Sequence, residues 1–343
     1  MSDFQRKLVL AAAMLLSLSA LPVHAAVKRT LCVYDPIGAN GDVYGLAQDY
    51  RAAARAWGVN FKLEPYTDEG VAVEDFKAGQ CDAALITGIR DRKLVRFAGS
   101  VDMMGAIPTY RELRTVIRTI SQPKAAKYMR SGPYEVAGVL PAGAVYLFVS
   151  SKTMQSIKGT PTVKDLAGKT IATLSYDQQA VQMVRFVGAS VVGSDITNFG
   201  SKFNNGSADI CYAPAYAYKA LELYKGLGKH GGIIDYVLAQ LTYQMVTHRK
   251  EFSGKFLQKS RDWAANHFDQ ALAIAKRSEA QIPKKYWIHI PKKDRRRYQQ
   301  MFRNVRLKLR KEGGVYSPRM MKLLWKVRCH YHPSDAECSE SPG

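Results

Sequence analysis

The chain lacks the sequence signatures of the common enzyme classes. It contains no nucleophile elbow, no HExxH motif, no glycine-rich phosphate loop and no cluster of paired carboxylates with a histidine. Its seven histidines are scattered. Beyond the N-terminal residues it also lacks any apolar run long enough to cross a bilayer, and it has no low-complexity tract. We therefore expect a globular protein that carries out no catalysis and uses no cofactor or metal.

The N terminus has the features of a signal peptide. Arg6 and Lys7 precede an apolar run at residues 8–23, and Val23 and Ala25 supply the small residues of a cleavage site. This pattern predicts removal of residues 1–25 by cleavage near Ala25 and export to the periplasm. An uncleaved membrane anchor is the alternative, although the run is short for a membrane span.

Acidic residues are scarce near the C terminus. The chain carries a net charge of +21, and residues 281–328 hold sixteen Lys or Arg against Asp294 and Glu312, a net of +14. A nucleic-acid partner is not expected for an exported protein, despite the suitable charge. The segment is either a docking surface for anionic lipid or lipopolysaccharide headgroups or for an acidic membrane partner, or a solvated helical face.

Cysteines are few, and in an exported protein they point to disulfides. Cys329 and Cys338 flank a Pro-Ser-Asp turn, which predicts a disulfide that closes the tail. A zinc site with His330 and His332 is the alternative, but the spacing fits no common zinc module.

A second disulfide is predicted from strand positions. Cys32 and Cys81 begin two predicted strands that should be neighbours in one sheet. Cys211 is left over, and we expect a buried free thiol because free cysteine packs as a small hydrophobe.

One pattern occurs twice. The motif Phe-x-x-Gly-x-x-Asp followed by small and apolar residues stands at 76–82 and again at 203–209, an offset of 127 residues (209 − 82). In each copy a helix ends at a glycine suited to the left-handed conformation, and the aspartate leads into a buried strand. Asp82 and Asp209 are interpreted as junction residues that build the lobes, not as ligands.

The order of elements around the motif also repeats. The first copy closes a β-α-β-α-β series with strands near 30–34, 60–64 and 83–86 and with helix caps predicted at Asp42 and Thr67. Asp68 and Glu69 are assigned to the first turn of the second helix. Right-handed crossovers then predict a mainly parallel α/β sheet with helices on both faces.

The chain divides accordingly into two lobes and a C-terminal extension. The predicted segments are the signal peptide at 1–25, lobe 1 at 27–140, lobe 2 at 141–245, a basic helical region at 251–328 and a disulfide-closed tail at 329–343. Long extended runs near 135–151 and 233–246 are expected to cross between the lobes.

The sequence resembles the periplasmic solute-binding proteins of tripartite ATP-independent (TRAP) transporters. The resemblance rests on the signal peptide, the two βα lobes and the stretches VEDFKAGQCDAALITG, DLAGKTIATLSYD and KFNNGSADI. The stretches GDVYGLAQDY, GQCDAALITGIR, SKFNNGSADI and RMMKLLWKVRC are similar to the AdeT-like subset, which carries a label linking it to RND-type drug efflux.

This resemblance implies the two-lobed periplasmic binding protein fold. It also implies capture of an unidentified small molecule between the lobes by hinge closure and delivery to membrane transporter subunits. The efflux label offers an alternative, an accessory role in drug resistance, although a chain without membrane spans cannot itself pump. A third possibility is a basic protein that docks on surfaces.

The resemblance also bears on the ligand. Typical TRAP receptors clamp a carboxylate with arginines, and the matching positions here hold Ala172 and Tyr146. Neither can replace the planar fork of arginine, which puts an organic acid in doubt. Arg90 is the one cation that could take over, unless it is a solvated surface residue.

Ligands of parallel α/β sheets bind beyond the carboxyl ends of the strands. Polar loop residues and aromatic walls suit a small ligand, whether cationic, cyclic or acidic. Packing is the alternative role for each tyrosine. The candidate binding residues are Asp35, Thr87, Arg90, Tyr146, Ser175, Tyr176, Asp177 and Tyr216.

Overall fold

A computed structural model describes residues 26–340, except for the side chains of residues 312 and 313. The predicted signal peptide lies outside the described residues. Within the described part of the chain, no helix combines the length and the apolar character needed to span a bilayer.

Strands and helices alternate from residue 27 to residue 248, and helices dominate after that. The strands are β1 (Val27–Tyr34), β2 (Val59–Tyr66), β3 (Ala83–Thr87), β4 (Arg130–Ser131), β5 (Tyr134–Val149), β6 (Thr170–Leu174), β7 (Ser190–Ser194), β8 (Ile210–Pro214), β9 (Gly232–His248) and β10 (Trp287–Ile288).

The helices are α1 (Asp42–Ala56), α2 (Glu69–Lys77), α3 (Gly88–Asp91), α4 (Arg96–Gly99), α5 (Tyr110–Ser121), α6 (Ser151–Ser156), α7 (Gln178–Phe186), α8 (Ile196–Asn204), α9 (Ala217–Ala220), α10 (Tyr224–Leu227), α11 (Gly254–Asn266), α12 (Phe268–Ala280), α13 (Lys292–Gly313) and α14 (Pro318–Tyr331). Short 3-10 turns lie at Gly38–Asn40, Ser100–Asp102, Pro123–Tyr128, Val163–Leu166, Arg249–Glu251, Lys284–Tyr286 and Ala336–Ser339.

One continuous sheet runs through the molecule in the order β2-β1-β3-β9-β5-β8-β6-β7. We call β1–β3 with helices α1–α4 lobe 1, and β6–β8 with helices α7–α9 lobe 2. Strands within each lobe pair in parallel, as short βαβ crossovers require. The predicted α/β fold with mainly parallel pairing is confirmed.

The two long strands join the lobes. β5 and β9 pair antiparallel over most of their length, with register shifts at Val136/Gly138, Pro141/Gly143 and Val145/Leu147. β9 also pairs with β3 of lobe 1, and β5 pairs with β8 of lobe 2. The connection between the lobes is therefore a two-stranded ribbon with local irregularities.

The repeated motif forms the same helix–strand junction in both lobes. Gly79 and Gly206 have φ angles of 79° and 81°, in the left-handed region that glycine adopts without strain. Asp82 accepts the backbone N–H of Thr30 at 2.7 Å. Asp209 accepts that of Thr170 at 2.9 Å. Each aspartate thus ties the start of its strand to the neighbouring strand.

Both predicted helix caps are wrong. α1 begins after Gly41, and the Asp35 carboxylate accepts the N–H groups of Val43 and Tyr44 in its first turn. A Cβ at Gly41 would collide with this carboxylate. α2 is capped by the side chain of Asp68, one residue after the predicted Thr67.

Both predicted disulfides are present. Cys32 and Cys81 are bonded with a Cα–Cα distance of 5.8 Å, and β1 and β3 are neighbours as expected. Cys329 is bonded to Cys338, which removes the zinc alternative. Cys211 is a buried free thiol.

The C-terminal helices contact both halves of the molecule. α13 packs against α7 of lobe 2, and α14 packs against α5 and α4. The Tyr316 hydroxyl donates to Gln179 of α7 at 2.8 Å, and the Gln179 amide donates to the carbonyl of Asp102 at 3.4 Å. These helices therefore brace the face of the molecule where the lobes meet.

Candidate functional site

A cavity lies between the two lobes, beyond the carboxyl ends of β1, β3, β6 and β8. Its volume is about 60 Å³, enough for a few water molecules. Its walls are almost entirely apolar or aromatic. They are formed by Tyr34, Pro36, Glu69, Thr87, Ile89, Val145, Leu174, Tyr176, Ile196, Phe199, Tyr212, Ala213, Pro214, Tyr216, Ala217, Leu221 and Leu241.

Glu69 is the acidic group of this cavity. It begins α2 and is only 2% exposed. Its carboxylate accepts the backbone N–H of Thr87 at 2.5 Å and the hydroxyl of Tyr176 at 3.3 Å. Burial raises the pKa of Glu69 above its usual range, although the Thr87 contacts and Arg90 oppose that rise.

Arg90 of lobe 1 lies against lobe 2. Its guanidinium carbon is 3.3 Å from the ring centroid of Tyr176, and its Nε is 3.7 Å from Glu69 Oε2. Arg90, Glu69 and Tyr176 thus form a contact between the lobes at the edge of the cavity.

A second contact between the lobes lies behind the cavity wall. Tyr212, whose ring lines the cavity, donates its hydroxyl to Asp177 at 3.3 Å. Asp177 also pairs with Arg92 of lobe 1 at 3.8 Å, and both side chains are buried. Burial raises the pKa of Asp177, although Arg92 lowers it. The cavity wall is thereby linked to a buried ion pair across the lobe boundary.

The predicted binding residues fall into three groups. Thr87, Tyr176 and Tyr216 line the cavity. Arg90 and Asp177 do not line it but contact residues that do.

The remaining three lie elsewhere. Asp35 accepts N–H groups at the start of α1 and borders a separate cavity. Tyr146 points to the other face of the sheet, where its hydroxyl donates to Glu279 at 3.1 Å. Ser175 is exposed, and its hydroxyl is bonded to the carbonyl of Ser194.

The separate cavity has a volume of about 230 Å³. It lies between the start of α1, the end of α12 and the ribbon, and it shares Pro36 and Tyr216 with the cavity between the lobes. Its charged border residues are Asp35, Asp42 and Lys219.

In the residues described, no group of three or more His, Cys, Asp or Glu side chains is arranged to hold a metal ion.

Sequence reasoning missed Glu69 and the apolar walls from Ile196 and Phe199. The position of Glu69 in a first helical turn gives no sign of a binding role, because acidic residues are common there for electrostatic reasons alone. The signal that could have found it is position, because the N terminus of α2 follows the carboxyl end of β2, at the same edge as the other candidates.

Comparisons with known proteins agree on one family. The family model described as solute-binding protein AdeT 1/2 matches residues 51–342. The probable solute-binding protein AdeT1 of Acinetobacter baumannii is 41% identical over 307 residues, covering 90% of this chain and 99% of that protein. The probable solute-binding protein AdeT2 of the same organism is 25% identical over 71% of this chain and 99% of that protein.

Solved structures show the same fold at low sequence identity. A TRAP periplasmic solute-binding protein from Desulfovibrio salexigens, with bound orotic acid, has a TM-score of 0.70 and 13% identity, covering 88% of this chain and 99% of that one. The periplasmic ectoine-binding protein of the TeaABC TRAP transporter of Halomonas elongata has a TM-score of 0.69 and 12% identity, covering 88% and 98%.

Proposed function

Because the chain belongs to the solute-binding protein AdeT 1/2 family, we propose that it captures a small solute in the cavity between its lobes and delivers it to a membrane transporter. The observation that carries this proposal is the closed contact of Glu69 and Arg90 with Tyr176 around an otherwise apolar cavity. The periplasm is the proposed location.

Entry of the solute requires the lobes to separate. A cavity of about 60 Å³ is too small for most metabolites, and its walls come from both lobes. The two-stranded ribbon is the proposed hinge, since its register shifts are places where backbone angles can change. A solute that contacts both lobes only in the closed form stabilises that form.

The role proposed is binding without chemical conversion. Glu69 is an acid without a neighbouring histidine or second carboxylate on the cavity wall. An accessory role in drug efflux uses the same cavity and differs only in the identity of the solute and of the membrane partner.

A tryptophan that fills the cavity is expected to abolish solute binding. Ile196 lines the cavity and is half-buried, so Ile196→Trp can occupy the space while its ring edge reaches solvent. A thermal-shift screen over organic acids, amino acids, sugars, polyamines and aminoglycosides should find a compound that raises the melting temperature of the wild type. The same compound is expected to leave that of Ile196→Trp unchanged.

The matched control places the same substitution on the other cavity. Ile37 is 61% exposed and borders the separate cavity, so Ile37→Trp is expected to keep the thermal shift. If the compound no longer raises the melting temperature of Ile37→Trp but still raises that of Ile196→Trp, the solute binds in the separate cavity instead.

We also propose that α13 contacts anionic membrane surfaces. Lys292, Lys293 and Arg296 are exposed in its first turns. Arg306 and Arg328, in contrast, are buried in an ion cluster with Glu337, so part of the basic segment is structural.

Replacing Lys292, Lys293 and Arg296 together is expected to weaken membrane binding. The triple change of Lys292, Lys293 and Arg296 to Gln should reduce cosedimentation with phosphatidylglycerol vesicles severalfold. Wild-type binding should fall steeply with added salt because a Debye layer screens exposed charges. The control changes Arg51, Arg55 and Lys62 of lobe 1 to Gln; equal loss in both variants, or binding insensitive to salt, would contradict a specific α13 contact.

A further inference from the structure

The charge on the described cavity wall is negative. Glu69 is the sole charged residue among the side chains that line it, and no Lys, Arg or His contributes to the described lining. An organic anion would therefore meet a buried carboxylate and no free cation. Such a contact is repulsive in a site shielded from water.

The aromatic walls favour a cation as well. Tyr34, Tyr176, Tyr212 and Tyr216 line the cavity, and the faces of aromatic rings attract cations. The Thr87 hydroxyl is buried, has no partner at hydrogen-bond geometry among the described residues, and can accept a donor.

Arg90 shows that a cation fits beside these groups. Its guanidinium stacks on Tyr176 and lies near Glu69, so one ring and one carboxylate already hold a cationic group of this chain. Arg90 approaches from the edge and is not part of the lining. Binding of an acid by Arg90 would have to pull the guanidinium away from Glu69 and leave that carboxylate unpaired.

We propose that the solute has a small apolar body and a protonated amine that faces Glu69 and Thr87 inside the tyrosine walls. This inference rests on the proposed function, since it assigns a chemical class to the solute of the same cavity. The apolar walls contact the body, and the carboxylate and the hydroxyl accept hydrogen bonds from the amine.

Matched pairs of compounds that differ only in charge test the assignment. Benzylammonium is compared with benzoate, and cyclohexylammonium with cyclohexanecarboxylate, by calorimetric titration and thermal shift. At least one amine is expected to bind more than tenfold tighter than its acid, and Ile196→Trp is expected to abolish that binding.

Substitution of Glu69 tests the contact directly. Glu69→Gln keeps an oxygen for the Thr87 N–H and removes the charge, so amine binding is expected to fall about tenfold. Glu74→Gln is the control, because Glu74 lies on the same helix, is 71% exposed and pairs only with Lys77 in the described contacts. It should bind the amine as the wild type does.

Substitution of Arg90 gives opposite results for the two classes of solute. Arg90→Gln is expected to tighten amine binding, because Glu69 loses its internal counter-ion. If Arg90 instead binds a carboxylate, the same variant loses acid binding.

The outcomes separate the two proposals. Acids that bind in an Ile196→Trp-sensitive way while amines do not would overturn the amine assignment and keep the cavity as the solute site. Amine binding unaffected by Glu69→Gln would also overturn the assignment. If neither amines nor acids give a thermal shift that Ile196→Trp removes, the cavity itself is the wrong site.

Discussion

Replacing Glu337 with glutamine is expected to lower the free energy of unfolding by about 3 kcal/mol, because it removes the charge of a carboxylate that pairs with two buried arginines. Glu337 is 6% exposed. Both of its oxygens pair with Arg328, at 2.6 and 2.9 Å, and one also lies 3.4 Å from Arg306. Urea unfolding followed by circular dichroism measures the change.

The pKa values agree with a charge cluster inside the protein. Burial alone would raise the pKa of Glu337, but hydrogen bonds and charge from Arg328 hold it below its usual range. Burial and the neighbouring Arg328 lower the pKa of Arg306 to about 9. Arg306 therefore remains charged near neutral pH, and Glu337 is a buried counter-charge beside it.

This cluster connects the tail to the lobe boundary. Arg306 donates to the carbonyl of Met104 and Arg328 to that of Ala106, while the N–H of Gly105 between them donates to Leu238 of β9 at 2.6 Å. The Cys329–Cys338 disulfide holds Glu337 in place. Loss of the cluster should therefore weaken the contacts that the C-terminal helices make with both halves of the molecule.

Glu340→Gln is the control for this prediction. Glu340 is exposed and pairs with Arg303 at 2.5 Å, and surface pairs of this kind contribute at most ~1 kcal/mol. Equal stability of Glu337→Gln and Glu340→Gln would show that the buried cluster does not stabilise the fold.

The second large effect is a dependence of stability on pH. The free energy of unfolding is expected to be about 2 kcal/mol greater at pH 5 than at pH 8, because buried carboxylates bind protons more tightly in the folded chain than in the unfolded chain. The carboxylates are Asp91, Asp102 and Asp177, and Arg92 is the cation that faces them.

The sign follows from the direction of the pKa shifts. Burial raises the pKa of Asp102 to about 7, although Thr242 donates to it through its N–H and its hydroxyl. Burial also raises the pKa of Asp91, and neither of its carboxylate oxygens has a hydrogen-bond partner in the part of the chain that the structure describes. The unfolded chain releases these protons near pH 4, so stability falls as pH rises from about 4 to 7.

Asp102→Asn isolates the effect. Asparagine resembles the protonated acid and can keep both contacts with Thr242, so the variant is expected to lose much of the pH dependence. Asp49→Asn, at an exposed position, should retain it. A wild-type protein that is more stable at pH 8 than at pH 5 would contradict the assignment.

Several features that depend on short sequence patterns and on the order of strands and helices were predicted correctly. The repeated motif marked two equivalent helix-strand junctions, and Asp82 and Asp209 make equivalent contacts there. Crossover rules made the strands of Cys32 and Cys81 neighbours, and a short turn brought Cys329 close to Cys338, so both disulfides were predicted. The same rules placed Thr87, Tyr176 and Tyr216 at the cavity.

The remaining features of the candidate site depend on side-chain orientation, which the sequence did not predict. In β5, Val145 faces the cavity and Tyr146 faces Glu279, and the register shift beside them made this alternation unreadable from the sequence. Asp35 lies at a strand exit as predicted, but the start of α1 folds back onto its carboxylate. Glu69 enters the cavity because the first turn of α2 points at the end of β3, a tertiary relation without a local signal.

The most direct test of capture by hinge closure is the distance between the lobes in solution. Ala78 and Asn205 occupy equivalent exposed positions in the two copies of the repeated motif, one in each lobe, so paired spin labels there report the hinge angle. Pulsed electron paramagnetic resonance would compare the free protein with protein saturated by the compound that gives the thermal shift. Capture by hinge closure predicts a shorter and narrower distance distribution on saturation, which Ile196→Trp prevents. An unchanged distribution at saturation would contradict it.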